Sequence, residues 1–139
     1  MPRHATSSMS PTEFKFLRDL MGFTQSDVAG YVGVSSPRVV ASWDASRNPS
    51  QPAAQWITEQ KEFFASNLQK TLNAALPTTI DEDGNSVVQL RRYTSDEQLH
   101  EAQPGYDRVR HYDAHLHAVA AVLTSRGVNY SIINSPGSA

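Results

Sequence analysis

Three histidines and an aspartate, His111, Asp113, His115 and His117, fall within seven residues, and His111 and His115 stand four apart. On a helix that spacing puts two imidazoles on one face, as metal-binding histidines are placed. No second His or carboxylate cluster exists to complete a ligand set, and an exposed helix face or a dimer rim accounts for the group equally well. The acidic run Asp81-Glu82-Asp83 lacks the periodic oxygen ligands of a calcium loop and reads as a solvated turn. The chain has no cysteine, which excludes a disulfide framework, a thiol nucleophile and Cys-ligated zinc or iron–sulfur sites. Glycine-rich phosphate loops, nucleophile elbows and paired catalytic carboxylates are absent from the sequence. The residue types therefore argue against an enzyme, and no cofactor or metal is expected.

Chemistry of another kind is carried by Arg38 and Arg47, two cations within ten residues on either side of an apolar pair, Val40 and Trp43. The elements that position them are legible. Ser10-Pro11-Thr12-Glu13 opens a helix with a cap, a proline at the first helical position and an acid three residues on. Phe14, Leu17 and Met21 recur at helical spacing until Gly22. Thr24 caps a second helix, with Asp27 at its third position, Phe23 as a staple and Val28, Ala29 and Val32 inward, and Gly33 stops it. Ser36-Pro37 opens a third helix running to Ser46. Pro49 and Pro52 mark a turn, and a longer helix spans about Ala53 to Leu76, with Trp56, Ile57, Phe64, Leu68 and Leu72 on one stripe and Pro77 ending it.

Beyond Pro77 the character changes. Asp83-Gly84-Asn85 signals a turn before a strand at Val87–Tyr93. Ser95 caps a short helix to about Ala102, a helix follows over Tyr112–Arg126, and Val128–Ile133 reads as a last strand. The expected organisation is a disordered segment 1–9, a helical domain 10–76 and an α+β domain 77–139, with frayed residues after 133. Met9 is an alternative start of the chain. Residues 1–76 carry 7 basic and 6 acidic side chains, and residues 77–139 carry 5 and 8, so the first part approaches phosphate more easily. The start has no apolar core of a secretory signal, and the longest apolar run, Ala118–Leu123, is too short to span a bilayer. A cytoplasmic chain without membrane contact is expected.

The stretch Phe23 to Asp44 resembles the helix-turn-helix of lambda-repressor-like (Xre/Cro type) transcription regulators. The resemblance rests on Thr24-Gln25, the small Ala29, Gly33 in the turn, Val40, and Trp43-Asp44, in that order, and covers roughly residues 10–60. One departure is an extra residue between Gly33 and Trp43, placed in Val34-Ser35-Ser36. That feature and the α+β tail are similar to short bacterial and phage regulators, including anti-CRISPR-associated repressors. The fold implied is mainly α with a small α+β C-terminal part that dimerises. The function implied is a repressor that binds double-stranded DNA at an inverted repeat as a homodimer and regulates its own promoter. Helix 3 would lie in the major groove, and Gln25, Ser35, Ser36, Pro37, Arg38, Val39, Ala41, Ser42 and Arg47 are the expected DNA-binding residues. Arg38 is the expected base reader, and Gln25 and Arg47 the phosphate contacts. Arg18 and Asp44 are expected to pair between helices 1 and 3. The exposed strands and the Trp56/Phe64 stripe are the expected dimer surface. Two rival functions remain at this point: a protein-binding module such as an antitoxin or phage accessory protein, and a regulator that also binds structured RNA.

Overall fold

A computed structural model of the chain describes residues 6–75, 79–80 and 82–135. Among them are six helices and three short strands: α1 (Pro11–Leu20), α2 (Gln25–Val32), α3 (Pro37–Ala45), α4 (Gln51–Ala74), β1 (Thr79–Ile80), β2 (Ser86–Arg92), α5 (Asp96–Ala102), α6 (Val109–Ser125) and β3 (Tyr130–Asn134). The protein is mainly helical with a small sheet in its C-terminal part. It divides into two compact units, Met1–Ala65 and Ser66–Ala139. The division falls inside α4, whereas the sequence placed it after residue 76. No helix among the described residues is long and apolar enough to cross a membrane.

The first unit is built on capped helices. The Ser10 hydroxyl accepts from the Glu13 N–H at 3.1 Å and opens α1. Thr24 and Asp27 form a reciprocal box at the start of α2. The Thr24 hydroxyl accepts from the Asp27 N–H at 3.0 Å, and the Asp27 carboxylate accepts from the Thr24 N–H at 2.9 Å. These contacts satisfy amide groups that a helix start leaves without intrahelical partners. Gly33 ends α2 at φ 82°, the left-handed conformation that a Cβ makes costly, and its N–H and that of Val34 both reach the Ala29 carbonyl. Phe14, Leu17, Val28, Ala29, Val40, Trp43 and Ile57 are buried, and Phe14 meets Trp43 edge to face at 5.8 Å. The helix-period apolar residues of α1, α2 and α3 thus become one core.

Three local expectations differ from the structure. Residues 6–9 are not loose. Thr6 forms an antiparallel bridge with Ser50, and Ser7 is buried at 6% exposure. Expected disorder over residues 1–5 and fraying over 136–139 lie outside the described residues, as do Pro77 and Asp81. Helix α4 begins at Gln51, because Pro52 sits in its first turn, where no N–H is needed, and the Ser50 hydroxyl accepts from the Ala53 N–H at 3.3 Å. Trp56 and Phe64 do not offer a free stripe. Phe64 is buried, and Trp56 stacks on Tyr31 at 5.5 Å and meets Phe23 at 4.9 Å.

In the second unit β2 is central, with β1 antiparallel on one side and β3 parallel on the other. A parallel pair needs a crossover, and α5 with α6 supplies it. Val88 pairs with Tyr130 and Leu90 with Ile132. Val88, Leu90, Tyr93, Leu99, Tyr112, Leu116, Val119 and Leu123 form its core, joined by Leu68 and Leu72 from the end of α4. β1 pairs with β2 at Ser86 and Val87 and β3 pairs with it from Val88 to Arg92, so among the described strands each part of β2 is paired along one side. β3, which starts at Tyr130 rather than Val128, is an outer strand of the sheet and carries Ile132 half exposed. Asn134 belongs to β3, and the Ser135 N–H donates to the Arg92 carbonyl, so the strand end is held rather than frayed.

Candidate nucleic-acid interface

The expected site residues lie on α2, the turn after it, α3 and the loop that follows. Helix α3 presents Val40 and Trp43 inward, both buried. Its first turn points the other way. Pro37 and Arg38 are exposed, and Val39, Ala41 and Ser42 are half-buried along the flank. Ser35 is exposed in the turn before α3. Ser36 occupies the cap position with extended backbone, yet its side chain makes no capping hydrogen bond, in contrast to the expected cap. The Val39 N–H, the amide a capping hydroxyl would take, donates instead to the Ser36 carbonyl at 3.2 Å.

Helix α3 is held by a brace of charge. The Arg18 guanidinium donates to both Asp44 oxygens, Nε at 3.3 Å and Nη2 at 2.7 Å, and its Nη1 donates to the Phe23 carbonyl at 2.9 Å. The Gln25 Nε2 donates to the same Asp44 Oδ2 at 3.0 Å. One carboxylate therefore ties α1 and the first residue of α2 to the last turn of α3. The pair is largely shielded from water, with 11% of the Arg18 side chain and 7% of the Asp44 side chain exposed. Such a bidentate, charge-assisted pair fixes geometry as well as energy.

The brace also involves one expected phosphate contact. The Gln25 Nε2 gives one of its two N–H donors to Asp44, across 19 residues of sequence, and the second N–H remains for an outside acceptor. Sequence spacing gives no sign of that pairing. Thr24, Gln25 and Ser26 still line an open groove with Asp19 and Pro37. The N–H groups of the first turn of α2 add a partial positive charge at that groove.

Arg38 and Arg47 are both exposed, and among the described residues neither guanidinium has an ion pair or hydrogen bond. Arg47 sits one residue beyond Ser46, the cap of α3, and its N–H returns to the Ser42 carbonyl at 2.9 Å. The Ser42 hydroxyl donates to the Val39 carbonyl at 2.6 Å, so its proton is used and its lone pairs remain for an outside donor. The loop after Arg47 is pinned by residues that sequence reasoning passed over. The Ser7 N–H and hydroxyl both donate to the Pro49 carbonyl, at 2.9 and 2.8 Å, and the Asn48 amide donates to the Ser7 carbonyl at 3.1 Å.

The histidine cluster resolves differently from either expected reading. His111 and His115 are buried in the second unit, and His115, at 1% exposure, is in the aromatic group of Tyr106 and Tyr112. The Thr71 hydroxyl and His115 Nε2 share a hydrogen bond of 3.0 Å. Burial pushes the His115 pKa down, since a charged imidazole is poorly solvated there. Asp113 instead holds Arg92 in a two-oxygen pair, and His117 is exposed. Among the described residues no three His, Asp or Glu side chains are placed to hold a metal ion. The chain matches no family model and no curated protein.

Proposed function

We propose that the chain is a DNA-binding transcriptional repressor of the lambda-repressor-like type, acting as a homodimer on an inverted repeat, with α3 in the major groove. The observation that carries this reading is the two-sided character of α3. Its inner side is locked by Val40, Trp43 and the Arg18–Asp44–Gln25 brace, while its first turn holds Arg38 exposed and unpaired. A helix that presents its N-terminal side chains from a rigid support suits the reading of base edges. Arg38 then donates two hydrogen bonds to guanine O6 and N7. Ser42 accepts from an exocyclic amino group, because its proton is already spent on Val39. Ser35, Ser36, Pro37, Val39 and Ala41 line the groove walls as small or apolar contacts.

Phosphate contacts fall to Arg47 and to the backbone N–H groups at the start of α2, with the Gln25 side chain supporting them from inside. Dimerisation is assigned to the second unit, where β3 has an open edge and Ile132 stands half exposed. A mobility-shift titration with DNA fragments from upstream of the gene tests the reading. A sequence-selective shift whose affinity falls with salt, at a log–log slope of about −2 or steeper, is expected. No selective shift at low salt rejects DNA binding and leaves the protein-binding module standing.

A further inference from the structure

We infer that Ser7 is a positioning residue for DNA binding: the segment before α1 clasps the turn between α3 and α4 and thereby sets where Arg47 meets the DNA backbone. The inference rests on the DNA-binding reading above and deepens it. Its basis is a closed set of contacts. The Pro49 carbonyl accepts two hydrogen bonds from Ser7, and the Asn48 side chain returns one to the Ser7 carbonyl. Thr6 bridges to Ser50, Ser7 is 6% exposed, and Pro49 is fully buried. The neighbouring segment leaves α3 at Ser46 and enters α4 at Gln51, so the four residues Arg47–Ser50 are fixed at both ends and at the middle.

Arg47 itself is exposed and unpaired among the described residues, so nothing in its own side chain fixes its position. Its backbone does. The Arg47 N–H is held by Ser42 on one side, and the clasp begins at Asn48 on the other. A phosphate contact from a long, flexible cation gains most when the backbone bearing it is already placed. Truncating the Ser7 hydroxyl leaves a buried carbonyl with one donor fewer and frees that backbone.

The test combines a DNA-free and a DNA-bound measurement on the full chain. In Ser7→Ala, hydrogen exchange of the position-7 amide, which donates to the Pro49 carbonyl, and of the Arg47 amide, which donates to the Ser42 carbonyl, should speed up by about tenfold, while α2 exchange stays unchanged. With the upstream DNA fragment, Arg47→Ala should weaken binding about fivefold or more, and Ser7→Ala should weaken it about threefold or more. In the Arg47→Ala background the Ser7→Ala change should then cost less than about twofold, which is the coupling that positioning requires. Asn48→Ala, which cuts the clasp from the other side, should repeat the pattern, and Ser7→Thr, which keeps the hydroxyl, should restore binding. Equal losses in both Arg47 backgrounds would assign Ser7 to general stability and overturn the inference. Unchanged exchange at position 7 and at Arg47 overturns the clasp alone. A wild-type chain that binds no DNA fragment, with exchange altered as expected, overturns the DNA-binding reading and with it the role given to Ser7.

Discussion

Arg18 on α1 and Asp44 on α3 meet at 2.7 Å across 26 residues of sequence, and the same Asp44 oxygen accepts from Gln25 at the start of α2. Three helices thus converge on one carboxylate. By contrast Lys15 and Asp19, 2.8 Å apart, have side chains each 53% exposed and lie four apart on α1. The two pairs have similar lengths and very different surroundings, so distance alone does not rank them.

Arg18→Ala should therefore unfold the first unit far more readily than Lys15→Ala. Removing one partner of a shielded pair strands the other, at a cost of about 3–5 kcal/mol, against about 0–1 kcal/mol for an exposed pair. For a unit of this size the first corresponds to a drop in melting temperature of about 12 °C or more. Thermal melting of the two variants checks it, and equal small shifts would discard the brace as a stabilising device.

Arg38→Ala should relax base preference as well as weaken binding. A two-bond contact to guanine contributes about 1–3 kcal/mol of discrimination at one base pair per half-site. Arg47→Ala should instead weaken binding to all sequences alike and reduce the salt slope by about one per site lost. Competition with singly substituted DNA fragments separates the two behaviours. An Arg38→Ala protein with unaltered preference would make Arg38 a second phosphate contact.

Mild acid should destabilise the second unit through His115. Its folded pKa lies below the ordinary value of 6.5, so the unfolded chain takes up the proton first as pH falls. Stability from this group is present above pH 6.5, declines as pH drops below it, and levels off once the folded pKa is passed. His115→Gln, which does not titrate and can still meet the Thr71 hydroxyl, should flatten the dependence between pH 7.5 and 5. Denaturant unfolding at the two pH values reads the difference. Asp96 acts in a separate window. The Val109 N–H holds its pKa down, so its contribution is lost only as pH falls below the carboxylate range.

Full-length chain should scatter light as a dimer at micromolar concentration, and Ile132→Lys should shift it toward monomer. Ile132 lies on the edge strand β3 and is 51% exposed, and a lysine there is a standard guard against edge pairing. A dimer mass unaffected by Ile132→Lys would place the interface elsewhere on the chain.

Local chemistry made much of the architecture readable. Caps at Ser10, Thr24 and Ser95, the stop at Gly33 and the inward Val40 and Trp43 each depend on neighbours within a few residues, and each has its place in the structure. What escaped depends on contacts between distant residues. Gln25 with Asp44, Ser7 with Pro49 and Thr71 with His115 are separated by 19, 42 and 44 residues. Polar side chains at such separations look like solvent-facing residues in a sequence. The histidines illustrate the cost. Their i, i+4 spacing correctly signals one helix face, but spacing does not say whether that face looks at water or at Tyr106 and Tyr112.

The distribution of aromatic side chains makes the protein its own pair of optical probes. Both tryptophans, Trp43 against Phe14 and Trp56 against Tyr31, belong to the first unit. Tyr93, Tyr106, Tyr112 and Tyr130 belong to the second. Indole emission excited at long wavelength therefore follows the unit that bears α3, and the near-ultraviolet tyrosine band is weighted toward the unit that bears β3. Melting curves recorded in the two channels either coincide or separate, and that decides whether a single unfolding free energy describes the chain or each unit requires its own.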